Sequence, residues 1–237
     1  KTVIFSEIVR QYLSNHNKKV LVMTHRIELC KQTSKVLSEF GVDNKVIDSK
    51  ANLEDQSKYS CFVAMVETLN NRLNDDKLDI SGIGLVIIDE AHYNSFTKLF
   101  KFFSNSFILG VTATPLSSNI ELPMTDNYDE LIVGESIQDL IKNEFLASAN
   151  MYSFNVGLTS LVIGANGDYT VKSSEDLYTN NDMLSKLLVS YEEKCKGLKT
   201  LIFNNGINTS LIVYDMFKTA GYDVAHLDNT ASKKERA

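Results

Sequence analysis

The stretch LVIIDEAH, residues 85–92, runs four apolar residues directly into two adjacent carboxylates. Such a run reads as a buried strand, so Asp89 and Glu90 emerge at its C-terminal end, the edge where open α/β sheets bind ligands. Paired acids at that edge suit a division of labour. Asp89 would hold Mg²⁺ through its water shell, while Glu90 polarises a water that attacks a phosphoryl group. A bare Asp-Glu pair reads first as two solvated acids before a turn; the Ala-His that follows the hydrophobic strand reverses that reading toward chemistry. LGVTATP, residues 109–115, makes a second strand-to-loop exit, with Thr112 and Thr114 flanking an alanine and Pro115 barring continuation. Hydroxyls there are suited to hydrogen-bond His92 and sense what occupies the site. In MTHRIELCKQT, residues 23–33, His25, Arg26 and the amides of a new helix are suited to a phosphate backbone. The plainer alternative is an exposed polar helix start. VETLNNRL, residues 66–73, repeats that layout, with Thr68 near a helix start, and the chain opens with Lys1-Thr2 before a helical run.

Positioning these residues requires a sheet. VLVM (20–23), KVI (45–47), CFVAM (61–65), GLVIID (84–89) and FILGVT (107–112) are apolar throughout instead of alternating, as strands covered on both faces of a parallel sheet should be. Residues 3–15, 26–40 and about 95–104 place apolar side chains at helical spacing. Strand and helix alternating in this way predict a doubly wound α/β sheet with right-handed crossovers.

Beyond residue 116 the pattern changes. Residues 116–134 are polar and irregular, and a helix is expected over 135–145. MYSFNV (151–156), TLIF (200–203) and YDVAHL (222–227) read as strands, and GANGDYTV carries Gly-Asn-Gly turn chemistry. Helices are expected over 181–194 and 207–220, the second ending at Gly221 in a left-handed cap.

Composition excludes some functions. The 237 residues are 43% hydrophobic and 23% charged, ordinary for a globular protein, and no apolar run reaches membrane-spanning length. Cys30, Cys61 and Cys195 form no C-x-x-C pair, so reduced thiols and a cytoplasmic location are expected, with no zinc site or disulfide framework. A net charge of −6 argues against a broad basic face for nucleic acid, but leaves room for a grip made by a few amides and helix N-termini.

DEAH, TATP, THRIEL and VETL, at these separations, resemble the motor core of a superfamily-2 DEAD/DEAH-box helicase. The nearest group is that of type I and type III restriction-enzyme helicase subunits and phage helicases. YDELIVGESIQDLIKNEFL, GDYTVKSSEDLY, TLIFNNGINTS and AHLDNTASKKER resemble how that group passes into its second domain, so the likeness spans essentially the whole chain. It implies a RecA-like P-loop NTPase sheet flanked by helices over residues 1–148 and a partial second RecA-like domain over 149–237. It further implies ATP and Mg²⁺ as cofactors and nucleic acid as partner, DNA ahead of RNA, with no membrane. Carried over by position, Asp89 resembles the Mg²⁺-holding acid and Glu90 the catalytic base. His92, Thr112 and Thr114 resemble residues coupling nucleotide state to domain movement. His25, Arg26 and Thr68, with Asn204 and Asn205 in the second domain, fall along the nucleic-acid path.

Of the family's glycine-rich phosphate loop only Lys1 and Thr2 have counterparts, as phosphate-reaching lysine and Mg²⁺-facing hydroxyl. The family's later motifs, including an arginine finger worth on the order of 10³–10⁵ in turnover, have none. The chain therefore reads as a piece of a motor, expected to be inactive alone, with Lys1 a loose chain end. The KKER cluster, residues 233–236, reads as a charged helix start. Two other readings are a non-catalytic nucleic-acid- or protein-binding module and the motor part of a restriction-enzyme subunit.

Overall fold

A computed structural model describes residues 1–48, 57–75, 79–116, 121–165 and 168–231. The Asn166-Gly167 turn and the KKER cluster lie outside the described residues. Two units form, Lys1–Asp139 and Leu140–Ala237.

The first unit is built on five parallel strands: β1 (Lys19–Thr24), β2 (Asn44–Ile47), β3 (Cys61–Met65), β4 (Ile83–Asp89) and β5 (Phe107–Val111). Their order across the sheet is β2-β3-β1-β4-β5. Helices among the described residues include α1 (Thr2–Asn15), α2 (Ile27–Glu39), α3 (Val66–Asn74) and the single turn α4 (Thr97–Phe100). The helix expected over 95–104 is broken, with 3₁₀ turns at Asn94–Phe96 and Lys101–Phe103 on either side of α4.

Side chains divide along the strands with period two. Val20, Val22, Cys61, Val63, Leu85 and Ile87 pack on one face with Phe5 and Val9 of α1 and Cys30 and Leu37 of α2. Leu21, Met23, Phe62, Ala64, Val86 and Ile88 pack on the other with Leu69 and Leu73 of α3 and with Phe96, Leu99 and Phe103. Burial on both faces is why β4 is apolar without alternation; all seven of its residues are buried. The crossover through α2 runs toward β2 on one face, and those through α3 and α4 run the opposite way on the other. Reversing both face and direction preserves handedness, as the rule for parallel crossovers requires.

Register brings the strand ends level. Thr24 pairs with Met65, Met23 with Ile88, and Asp89 with Val111. The residues that follow each strand therefore leave the sheet along one edge.

In the second unit α6 (Val171–Tyr178), α7 (Asn181–Lys194) and α8 (Ile207–Thr219) pack together. The short α5, Ile137–Lys142, precedes them; Ser136 accepts from the Asp139 amide at its start, and Glu144 turns to positive φ after its end. Gly221, at φ +86°, ends α8. The Tyr222 amide bonds back to the Phe217 carbonyl and that of Gly221 to Lys218, with the Tyr222 ring 5.8 Å from that of Phe217. This is a Schellman cap with its hydrophobic contact. Helix α6 was not evident from hydrophobic spacing; Thr170 starts it by accepting from the Ser173 amide.

The three strands expected here do not form. Among the described residues of the second unit, the one β contact is an isolated antiparallel bridge between Ile163 and Tyr169. Leu201 is 84% exposed and Phe203 92%, so TLIF meets neither a neighbouring strand nor a covering helix. No helix among the described residues is long and apolar enough to cross a membrane.

Candidate functional site

The common strand edge collects most of the residues singled out in the first unit. Asp89 ends β4 and is only 5% exposed, yet it carries a carboxylate. A charge so placed needs a partner, and the Lys1 ammonium supplies one, 3.8 Å from Asp89 Oδ1 and in direct contact with Glu90 Oε1. The Lys1 side chain is 30% exposed and ion-paired, not the loose end expected. The Glu90 backbone adopts φ +57°, a left-handed conformation costing a non-glycine residue about 1–2 kcal/mol. Two bonds hold it there: the Glu90 amide donates to Asp89 Oδ1 at 3.1 Å, and the Ala91 amide to the Val111 carbonyl at 3.2 Å. Strain retained in this way is a feature of functional sites.

His92 Nδ1 lies 2.9 Å from Thr112 Oγ1 and 3.5 Å from Glu90 Oε2. The Thr112 hydroxyl donates to the Thr114 carbonyl at 3.1 Å, which commits its one proton. The bond from His92 is therefore a donation, and its Nδ1 carries hydrogen. Thr114 contributes its backbone, the amide donating to Thr112 Oγ1 at 3.0 Å, while its side chain is exposed. Gly110 of β5 leaves room for the Tyr128 ring and the Ala91 methyl. A Cβ there would lie 2.6 Å from the Tyr128 ring and 2.9 Å from the Ala91 methyl. Burial pushes the Tyr128 hydroxyl up to about 12.

His25 follows β1. Burial, then the charge of Arg26, lowers its pKa, opposed by Glu90 and Asp89. Arg26 is exposed at the N-cap of α2. Thr68 is half-buried in the first turn of α3, whose Glu67 pairs with Lys98 of α4 at 2.8 Å. Thr2 opens α1 beside Lys1 in sequence. Asn204 and Asn205 lie in the second unit, before α8; Asn204 is half-buried and Asn205 exposed. Sequence reasoning missed Tyr93, whose ring lies between His92 and His25; a tyrosine after a polar loop carries no signal of its own.

Among the described residues no three of His, Cys, Asp and Glu gather as a metal cluster. Asp89 and Glu90 offer hard carboxylate oxygens at this edge, the donor type that a hard divalent cation takes.

Residues 1–117 match the family model described as type III restriction enzyme, res subunit. The chain is thus similar to helicase-family proteins. Its relatives include a Saccharomyces cerevisiae protein named putative ATP-dependent helicase IRC3, 28% identical over 265 residues, covering 100% of the chain and 37% of the relative. A 51.5 kDa protein of Lactococcus phage is 26% identical over 240 residues, covering 100% of the chain and 48% of the relative. The chain thus spans less than half the length of these relatives. Among solved structures, the UvsW helicase of bacteriophage T4 aligns with TM-score 0.41 at 19% identity over 48% of this chain and 43% of that one. The Pyrococcus furiosus Hef helicase domain aligns with TM-score 0.43 at 18% identity over 94% and 48%.

Proposed function

We propose that this chain is the motor part of a nucleic-acid-dependent ATPase, a helicase or translocase that hydrolyses ATP with Mg²⁺ and moves on DNA ahead of RNA. Its first RecA-like domain covers residues 1–148 and its second 149–237. The observation that carries the reading is the pairing of Lys1 with Asp89 and Glu90 at the C-terminal edge of the sheet. One cation and two acids at that edge answer the needs of phosphoryl transfer, which is mostly positioning and charge stabilisation. The yeast relative's name supports the same activity.

In this reading Lys1 exchanges its carboxylate partners for phosphate oxygens, and Asp89 and Thr2 hold Mg²⁺. The ion supplies neutralisation of charge on those oxygens. Glu90 accepts hydrogen from the attacking water and orients it. The His92 donation to Thr112 links this loop to TATP, so a change at Glu90 reaches β5. His25, Arg26 and Thr68, and Asn204 and Asn205 of the second domain, contact the phosphate backbone, which gives register without sequence preference.

The test is Glu90→Gln in the full-length protein, with ATP turnover measured alone and with single-stranded DNA, duplex DNA and RNA. Loss of an acid-base group is expected to lower turnover by about 10²–10⁴-fold while ATP binding is kept. Unchanged turnover would remove Glu90 from the chemistry, and stimulation by RNA alone would overturn the DNA preference. The match to the res-subunit model favours one second reading, a motor serving a restriction enzyme. ATP-dependent cleavage of DNA by the full-length protein is its test.

A further inference from the structure

Three aromatic rings form a ladder across the strand exits. The Tyr93 ring lies 4.3 Å from that of His92 at 36°, and 4.7 Å from that of His25 at 41°. One end of the ladder is tied to the proposed nucleotide side, because His92 bonds to Thr112 and lies 3.5 Å from Glu90. The other end belongs to the loop that carries Arg26 into α2. His25 Nδ1 is buried without a hydrogen-bond partner, so packing orients that ring, and Tyr93 supplies the aromatic face. The β1–β4 strand register ends at Met23 and Ile88, and past the sheet edge the β1 and β4 loops meet through these rings and through the charges of Glu90 and Asp89 acting on His25.

We infer that Tyr93 is a positioning residue that transmits the state of the Glu90–His92–Thr112 group to His25 and Arg26. A shift of His92 that follows a change of partner at Glu90 carries the Tyr93 ring packed against it. That in turn resets the face against which His25 packs, and with it the loop that presents Arg26. The contacts are between tilted rings, so the phenol hydroxyl is dispensable and the ring is not. This inference rests on the motor reading above.

The test uses the full-length protein and reads the ratio of ATP turnover with and without single-stranded poly-dT. Tyr93→Leu, which removes the ring at a residue 38% exposed, is expected to lower that ratio about tenfold, within the usual range of coupling between two sites. Tyr93→Phe is expected to keep it within about twofold. A merely structural role would not distinguish Leu from Phe by this ratio while sparing poly-dT affinity in the absence of nucleotide. A Leu variant stimulated like the wild type overturns the inference, as does a Phe variant as defective as Leu. A wild-type protein whose turnover no nucleic acid alters defeats the motor reading itself, and the wild-type control separates that failure from the first.

Discussion

Val86-Ile87-Ile88 in β4 and Leu201-Ile202-Phe203 in the second unit are similar apolar triplets with opposite fates. The first is buried at every residue, between β1 and β5 and beneath helices on both faces. The second is exposed at every residue. The difference teaches that an apolar run is a conditional instruction. It becomes a strand where neighbours satisfy its amides and cover both faces, since unpaired backbone groups and bare apolar surface each cost free energy. What orders the chain in the second unit is instead helix packing and polar pins. Tyr191, Phe217 and Tyr222 meet edge to face, with Tyr191 5.1 Å from Phe217 and 4.9 Å from Tyr222. Ser210 of α8 lies 3.0 Å from His226 Nδ1, and His226 Nε2 lies 3.2 Å from Asp228.

The largest expected effect sets the two triplets against each other. Ile87→Ala opens a cavity in a packed core and is expected to cost about 2–5 kcal/mol in urea unfolding followed by circular dichroism. Phe203→Ala should stay within about 0.5 kcal/mol, as exposed substitutions do. Equal costs would mean that TLIF is covered in solution and would abolish the contrast. A smaller effect probes how tightly the first unit is closed. Gly110→Ala sets a methyl group against Tyr128 and Ala91 and is expected to cost about 1–3 kcal/mol by the same measurement. A neutral result would show that the edge of β5 yields.

The smallest effect concerns the polar pins. The Thr230 hydroxyl, then the Thr230 amide and His226, hold the Asp228 carboxyl down to about 2. A depressed carboxylate contributes stability that is whole above its ordinary value of 3.8 and is lost as pH falls toward about 2. Carboxyl carbon shifts in NMR should show Asp228 ionised through pH 3, with the His226 contact released only below that. A midpoint near 3.8 would mean that the pins do not hold. Burial of Ile87 involves no proton, so that contribution does not change over this pH range.

Much of the first unit was legible in the residues. Five both-face apolar runs became five parallel strands, and the edge where Asp89, His92 and Thr112 meet followed from where those runs stop. The helix over 95–104 was less legible: Phe96, Leu99 and Phe103 are buried as spaced, but the backbone reaches those positions by two 3₁₀ turns around a single α-turn. Tyr93 could not be read at all, because one of its ring partners, His25, comes from another loop.

Local chemistry by itself determined the apolar runs and helical spacing of the first unit, the left-handed cap at Gly221, and the acids at the end of β4. These depend on side-chain volume, periodicity and backbone freedom within a few residues. Tertiary structure alone decided that Lys1 pairs with Asp89 and Glu90 across 89 positions of sequence, that Gly110 admits Tyr128, and that TLIF stays unpaired. Each of those outcomes depends on which surface arrives opposite, and a linear pattern does not carry that information.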